Sequence, residues 1–275
     1  MHIASRTPAA PFGALLRGWR ATRRLSQLDL ALAGTVSQRH LSFLESGRAR
    51  PSRQMVLLLA EVLDVPLRQR NELLVAAGFA PYYRERALDD ASMAPVNEAL
   101  RRMLAHHEPF PALVCDRAYD LRMHNDAFTA LLRVFGEPAA LWQACCGAAT
   151  PNLLALMFHP AGARRFIRNF DELAPLVIAR LEREALAFGA DVPPALAAVR
   201  ADVSLGEHRQ RIDPDSLPPP VLPLVLGHAG VELRLFSVIS TFGTPCDVTT
   251  DEIRVEAFFP ADARSEQLLG ALRAG

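Results

Sequence analysis

Ser26-Gln27-Leu28-Asp29-Leu30-Ala31-Leu32-Ala33-Gly34-Thr35-Val36-Ser37-Gln38-Arg39-His40-Leu41-Ser42-Phe43-Leu44-Glu45 decides the fold of the front of the chain. Ser26 is placed to cap a short helix, with Asp29 three residues on as the acidic half of a capping box. Leu28, Leu30 and Ala31 give that helix an apolar side. Gly34 is expected to supply the turn after Ala33, since glycine enters tight turns without steric cost. Ser37 caps a second helix, with Leu41 and Leu44 turned inward and Gly47 ending it.

The same reading extends in both directions. Phe12, Leu15, Leu16 and Trp19 recur at i, i+3, i+4 and i+7, which predicts a helix from Phe12 to about Arg24. Pro51-Ser52 opens a helix with the stripe Met55, Leu58, Leu59 and Leu63, and Leu67 to Ala77 gives a fifth, closed by Gly78. Five short helices over 12–78 make an all-α bundle. Residues 1–11 are expected to be a flexible N-terminus, and 79–96 a linker.

Within that bundle the pair Ser26–Ala33 and Ser37–Glu45, joined by a three-residue turn, has helix-turn-helix spacing. The second helix of such a pair enters the major groove by its N-terminal end. Gln38, Arg39 and His40 are therefore expected at base edges, where glutamine pairs bidentately with adenine and arginine with guanine. Gln27, Ser37, Arg48, Arg50 and Arg53 are expected at the DNA backbone, where guanidinium groups and helix N-termini hold phosphates. Glu45, an acid among bases, is expected to pair with a neighbouring arginine. Charge agrees: the chain has no lysine and a formal net charge of zero, but residues 1–86 carry 13 arginines against six acids. A basic front on an acidic remainder suits a nucleic-acid-binding head joined to a body with another task.

The remainder reads as an α+β domain over 97–275. A helix runs from Val96 to His106. Ala112–Asp116 and Tyr119–His124 read as strands around a tight turn, followed by a helix from Ala127 to Phe135 capped by Asn125-Asp126. Helical segments are expected at 151–158, 162–169, 171–188 and 193–203, strands at 231–239 and 253–259, and a last helix at 265–272. Strand, turn, strand and capped helix is a PAS-like opening.

The front segment resembles the lambda-repressor-like helix-turn-helix domains of the XRE family. The resemblance rests on Arg23-x-x-Ser26-Gln27-x-x-Leu30-Ala31, Val36-Ser37 and Leu41-Ser42-x-Leu44-Glu45-x-Gly47-x-x-x-Pro51-Ser52, with Thr35 a departure in the turn. It implies backbone positioning by Gln27 and base readout by Gln38 and Arg39. Pro111–Arg117, Asn125-Asp126-Ala127-Phe128, Pro151-Asn152-Leu153-Leu154, Phe158-His159-Pro160, Leu235–Val248 and Glu256–Asp262 resemble the MmyB-like ligand-binding domain. That resemblance implies a PAS-like fold with an apolar cavity able to hold a fatty-acid-like molecule. Met123-His124 departs from its usual small or apolar residues.

Burying a carboxylate without a donor is costly, so Arg122, His124 or Asn125 is expected to hold a ligand head group, with Phe128, Phe158 and Phe236 among the apolar walls. Other constellations give weaker chemistry. His106-His107-Glu108 places adjacent imidazoles about 100° apart on a helix; His124 with Asp126 and His159 makes an acid–base site only if the fold brings them together and otherwise reads as a capping aspartate with isolated imidazoles, and His208 with Asp213 and Asp215 reads as a solvated loop. No phosphate loop, nucleophile elbow or zinc finger occurs. Four cysteines, at 115, 145, 146 and 246, make no disulfide framework, and the arginine-rich opening does not read as a secretory leader.

The expectation is a cytoplasmic, homodimeric, sequence-specific regulator of double-stranded DNA. It is no enzyme, needs no cofactor or metal, and has no membrane partner. Its body senses a small apolar effector such as a fatty acid. The alternatives are a DNA-binding dimeric scaffold without ligand and a PAS-like enzyme tethered to DNA.

Overall fold

The computed structural model describes residues 11–185, 192–206 and 220–274. The expected flexible N-terminus (apart from Pro11), the end of the 171–188 helix, and His208, Asp213 and Asp215 lie outside them. The chain divides into two compact units. One holds the residues up to Arg86 together with Pro245–Asp251; the other holds Ala87–Thr244 and Glu252–Gly275.

The first unit is built on α1 (Phe12–Thr22), α2 (Gln27–Ala33), α3 (Gln38–Glu45), α4 (Arg53–Val62) and α5 (Leu67–Ala76). Three serines start three of these helices. Ser26 forms the full capping box with Asp29, while Ser37 and Ser52 accept from the backbone N–H of His40 and Met55. Leu16, Leu30, Leu41, Leu44, Leu59, Leu63, Leu73 and Leu74 fill one continuous core. Leu30 and Ala31 are buried as expected, but Leu28 and Leu58, also expected inward, are exposed, and on α4 Val56 and Ala60 are buried as well as Leu59. In helices this short, one position of rotation separates the two faces. Gly13 lets α1 cross α3 closely: a Cβ there would sit 2.5 Å from the carbonyl oxygen of Glu45.

The turn between α2 and α3 differs from expectation. Gly34 has φ −85°, an ordinary value, and Thr35 takes the left-handed conformation at φ 53°. Gly34 serves packing instead, since a Cβ there would press on the Leu59 side chain at 3.3 Å. A β-branched residue at positive φ is strained.

Below α3 lies a charged knot. Glu45 is buried, and Arg20 donates to both of its oxygens, Nε to Oε1 at 2.6 Å and Nη2 to Oε2 at 2.9 Å. Gln27 Nε2 donates to Oε2 at 2.8 Å, and Arg17 Nε stands 3.7 Å away. Burial alone would raise the Glu45 pKa. The hydrogen bonds from Arg20 and Gln27, with the charges of Arg20 and Arg17, outweigh it and hold the carboxyl below its ordinary value of 4.5.

In the second unit, α6 (Ala94–His106) precedes β1 (Ala112–Cys115), β2 (Leu121–His124) and α7 (Asp126–Phe135). After these come α8 (Pro138–Cys146), α9 (Leu153–Phe158), α10 (Phe170–Ala185) and α11 (Pro194–Ala201). The unit then runs through β3 (Leu224–His228) and β4 (Val231–Ser240). The short helix α12 (Val248–Glu252), β5 (Arg254–Pro260) and α13 (Ala263–Ala274) complete the chain. The five strands form one antiparallel sheet in the order β2-β1-β5-β4-β3, an α+β, PAS-like arrangement.

Three elements were not expected. α8 carries no apolar stripe and buries only Leu141. β3 follows a proline-rich stretch and contains Gly227, so it becomes a strand through its pairing with β4. α12 stands where only a turn was expected. Successive sheet residues point to opposite faces, and both faces are covered. Ala112, Val114 and Val255 pack with Leu100 and Leu104 of α6. Leu113, Leu226, Leu233 and Leu235 join the larger core with α7, α9, α10, α11 and α13. β1, an interior strand between β2 and β5, is buried throughout.

Two outcomes follow for the first unit. Glu45→Ala leaves Arg20 and Gln27 without their acceptor and should cost about 3–5 kcal/mol, the usual loss on breaking a buried pair. Because the folded pKa is depressed, the stability that Glu45 contributes is present above its unfolded value. It is lost as pH falls through the folded one. Acid unfolding of the full chain, followed at the head by Trp19 fluorescence, should therefore steepen below pH 4.5, and Glu45→Gln should flatten it. Thr35→Gly should raise the melting temperature, by removing about 1 kcal/mol of left-handed strain.

Candidate nucleic-acid interface and ligand cavity

α3 presents its N-terminal turn outward. Gln38 and Arg39 are exposed, and His40 is half-buried. Arg39 stacks its guanidinium over Phe43, 5.4 Å from the ring centroid, which orders the side chain without consuming its hydrogen-bond donors. Ser37 is exposed, and its hydroxyl accepts from His40 N at 3.2 Å. Arg48, Arg50 and Arg53 are exposed around the entry to α4. Arg53 lies 5.3 Å over the Tyr82 ring. Gln27 spends one amide N–H on Glu45 and keeps its carbonyl and second N–H. The knot thus fixes Gln27 beside α3 and clamps α1, α2 and α3 at one carboxylate. Sequence reading expected Glu45 to meet an arginine, but the bond to Gln27 needed the fold to bring the two helices together.

The second unit holds a cavity of about 200 Å³ that opens to solvent beside Ser237. Phe128, Leu131, Leu132 and Phe135 of α7 and Leu153 to Met157 of α9 form one side, and the β3–β4–β5 face forms the other with Leu224, Leu235, Phe236 and Phe258. Leu173, Val177 and Arg180 of α10 close it. The lining is apolar apart from Tyr119, Arg180, Ser237 and Glu256.

Of the six residues expected at a ligand, Phe128 and Phe236 are in the wall. The other four are not. Arg122 is exposed and pairs with Asp116, Nη2 to Oδ2 at 2.5 Å. His124 is exposed and bonds the Asn125 carbonyl at 3.0 Å. Asn125 is buried as the cap of α7, accepting from Phe128 N and Ala112 N and donating to the Phe110 carbonyl. Phe158 packs on Phe170 in the core. The reason is sheet order. β2 is the edge strand, and the cavity lies over β1, β5, β4 and β3. Met123 turns to the α6 face, so its neighbours point away from it.

Sequence reading missed the polar corner of this cavity. Tyr119 donates to Glu184 Oε2 at 2.7 Å, and Arg254 Nη1 donates to the same oxygen at 2.7 Å and to the Tyr119 hydroxyl at 3.1 Å. Burial first, then Glu184, raises the Tyr119 pKa. Burial also pushes the neighbouring Cys115 thiol up to about 12, so it stays protonated. Arg180 stands 3.8 Å from the other Glu184 oxygen, and among the described residues its Nε has no hydrogen-bond acceptor. The only advance signal was the i, i+4 spacing of Arg180 and Glu184 on α10. Their meeting with Tyr119 and Arg254 is tertiary.

A basic helix-turn-helix head and a body with a largely apolar cavity define a DNA-binding transcription regulator with a ligand-binding domain. A helix-turn-helix family model matches residues 16–69, and the model of the MmyB-like transcription regulator ligand binding domain matches residues 96–272. The chain belongs to the MmyB-like transcription regulators. No curated protein matches it. This domain composition is that of a regulator and of no enzyme family. Among the described residues no helix is long and apolar enough to cross a membrane.

On a duplex selected from a random pool, Gln38→Ala and Arg39→Ala should each cost about 1–3 kcal/mol and relax preference at one base pair. Their cost on random DNA should be smaller. Arg48→Ala, Arg50→Ala and Arg53→Ala should weaken both DNAs alike, each lowering the slope of log affinity against log salt by about one. Filter binding across a salt series separates the two groups.

Proposed function

We propose that this protein is a cytoplasmic homodimer that binds a two-half-site operator, and that a fatty acid or similar acyl ligand in the body cavity changes its operator affinity. Gln38, Arg39 and His40 read bases, while Gln27, Ser37, Arg48, Arg50 and Arg53 hold the backbone. The dimer follows from the small surface of one helix-turn-helix, which usually needs two half-sites for useful specificity. The observation that supports the ligand reading is the Arg180 guanidinium in a wall that is apolar but for Tyr119, Ser237 and Glu256. Arg180 Nε lacks an acceptor among the described residues, and a buried donor left unpaired is costly. An acyl chain gains about 0.8 kcal/mol per buried CH₂, and its acidic head supplies the missing acceptor. The cavity, about 200 Å³, is smaller than the roughly 300–1,000 Å³ of drug-sized sites. A single slender chain suits it better than a fused ring system. Ligand binding shifts operator affinity only as far as the occupant prefers one state of the head.

Native mass spectrometry of the purified chain, before and after denaturing extraction, should reveal a co-purified acyl compound on a dimer. Decanoic acid should raise the melting temperature more than its methyl ester. Arg180→Leu should weaken the acid about tenfold or more, the worth of a hydrogen bond to a charged group, and leave the ester unchanged. A chain that extracts empty, and whose melting temperature and operator affinity ignore acid and ester alike, has no ligand function of this kind. Sedimentation of a monomer both free and on DNA removes the dimer.

A further inference from the structure

The connection between β4 and β5 leaves the unit to which both strands belong. β4 ends at Ser240 and β5 begins at Arg254, and between them Pro245–Asp251 belongs to the head unit. Within the head this strap is held at four points. Val248 N donates to the Arg84 carbonyl at 2.8 Å, and the Thr249 hydroxyl to the Arg86 carbonyl at 2.6 Å. Arg86 Nη1 donates to Asp247 Oδ2 at 2.8 Å, with the Asp247 side chain buried. Asp251 Oδ2 accepts from Leu67 N at 2.9 Å. That last bond has a definite role. Leu67 opens α5, and the residue before it, Pro66, offers no side-chain cap. Orphan N–H groups at a helix start need an acceptor, and here one comes from a residue 184 positions later.

From α5 the chain of contacts continues to the DNA-facing surface. Asn71 of α5 accepts from Tyr82 N and Tyr83 N and donates to the Tyr83 carbonyl. Tyr82 lies under the guanidinium of Arg53, one of the backbone-contact arginines. At the other end, the strap is covalently continuous with the two strands that carry Phe236, Ser237, Glu256 and Phe258 in the cavity wall. The strap is joined to β4 by only residues 241–244 and to β5 by only residues 252–253, so a shift of β4 against β5 has a short path to it.

We propose that Pro245–Asp251 is the coupling strap of this regulator: through Asp251 on the start of α5 and Asp247 on Arg86, it makes the setting of Arg53 depend on the β4–β5 pair. The inference rests on the proposed cavity ligand only for the nature of the signal; the mechanical link stands apart from it. Asp247 and Asp251 are positioning residues that touch neither DNA nor cavity. Coupling of this kind is reciprocal, so DNA bound to the head must be felt in the strands.

The test is hydrogen exchange on the full chain, with and without a duplex selected from a random pool. In the wild type, DNA should change exchange at amides of Leu235, Phe236, Ala257 and Phe258 by roughly fivefold or more, the low end of coupling between sites. Asp251→Ala and Arg86→Gln should each abolish that response while the duplex still binds. Arg86→Gln leaves the α5 cap intact and serves if Asp251→Ala does not fold. Strand amides that ignore DNA in the wild type overturn the strap, as does an unchanged response in both variants. Decanoic acid, added to the wild type alone, separates the two ideas. If it neither binds nor shifts operator affinity while DNA still moves the strand amides, the ligand reading fails and the strap stands.

Discussion

The head depends on one buried carboxylate. Glu45 sits at the end of α3 and receives Arg20 and Arg17 from α1 and Gln27 from α2. A lone ionised carboxylate in this place would cost several kcal/mol in lost hydration. The surrounding donors offset that cost only if all three helices hold their places. The knot therefore sets the relation of α2 to α3, which is what lets Gln38 and Arg39 face outward together. The apolar core drives collapse of the bundle, but leucines pack in many ways; the charged knot selects one of them.

The body solves a different problem. Its sheet is covered on both faces, yet the face under α7, α9 and α10 is not filled. Interiors normally close to crystal-like density, so a persistent apolar void is a departure with a use. The polar corner formed by Tyr119, Glu184, Arg254 and Arg180 gives the void a chemical direction. Tyr119, Glu184 and Arg254 hydrogen-bond one another, while Arg180 stands 3.8 Å from Glu184 with its Nε left without a hydrogen-bond acceptor among the described residues. The strap adds a mechanical direction, since the strands that bound the void are the strands that carry it into the head.

Much of this was legible in advance, for physical reasons that differ from place to place. The caps at Ser26, Ser37 and Ser52 are local hydrogen bonds over three residues, so sequence alone locates them. The exposed turn at Ser37, Gln38 and Arg39 follows, because the first residues of a capped helix cannot be buried by their own helix. Local chemistry pointed to Gly34 for the turn, yet Thr35 is the left-handed residue, and Gly34 is kept small by the Leu30 carbonyl and by Leu59 on another helix. Arg122 and His124 have the right chemistry for a ligand head group and stand on a sheet, but strand order puts β2 at the edge.

The amino-acid sequence by itself determined the two-part architecture, the helix-turn-helix, the residues on its exposed turn and the α+β class of the body. Each of these rests on spacing within one or two turns of chain. Tertiary structure alone decided which cation meets the cavity, that Gln27 and Arg20 share Glu45, and that Asp251 caps a helix 184 residues before it. Those are pairings between distant segments. Their partners carry no mark in sequence, because any arginine or aspartate at the same place in space would satisfy the same buried donor or acceptor.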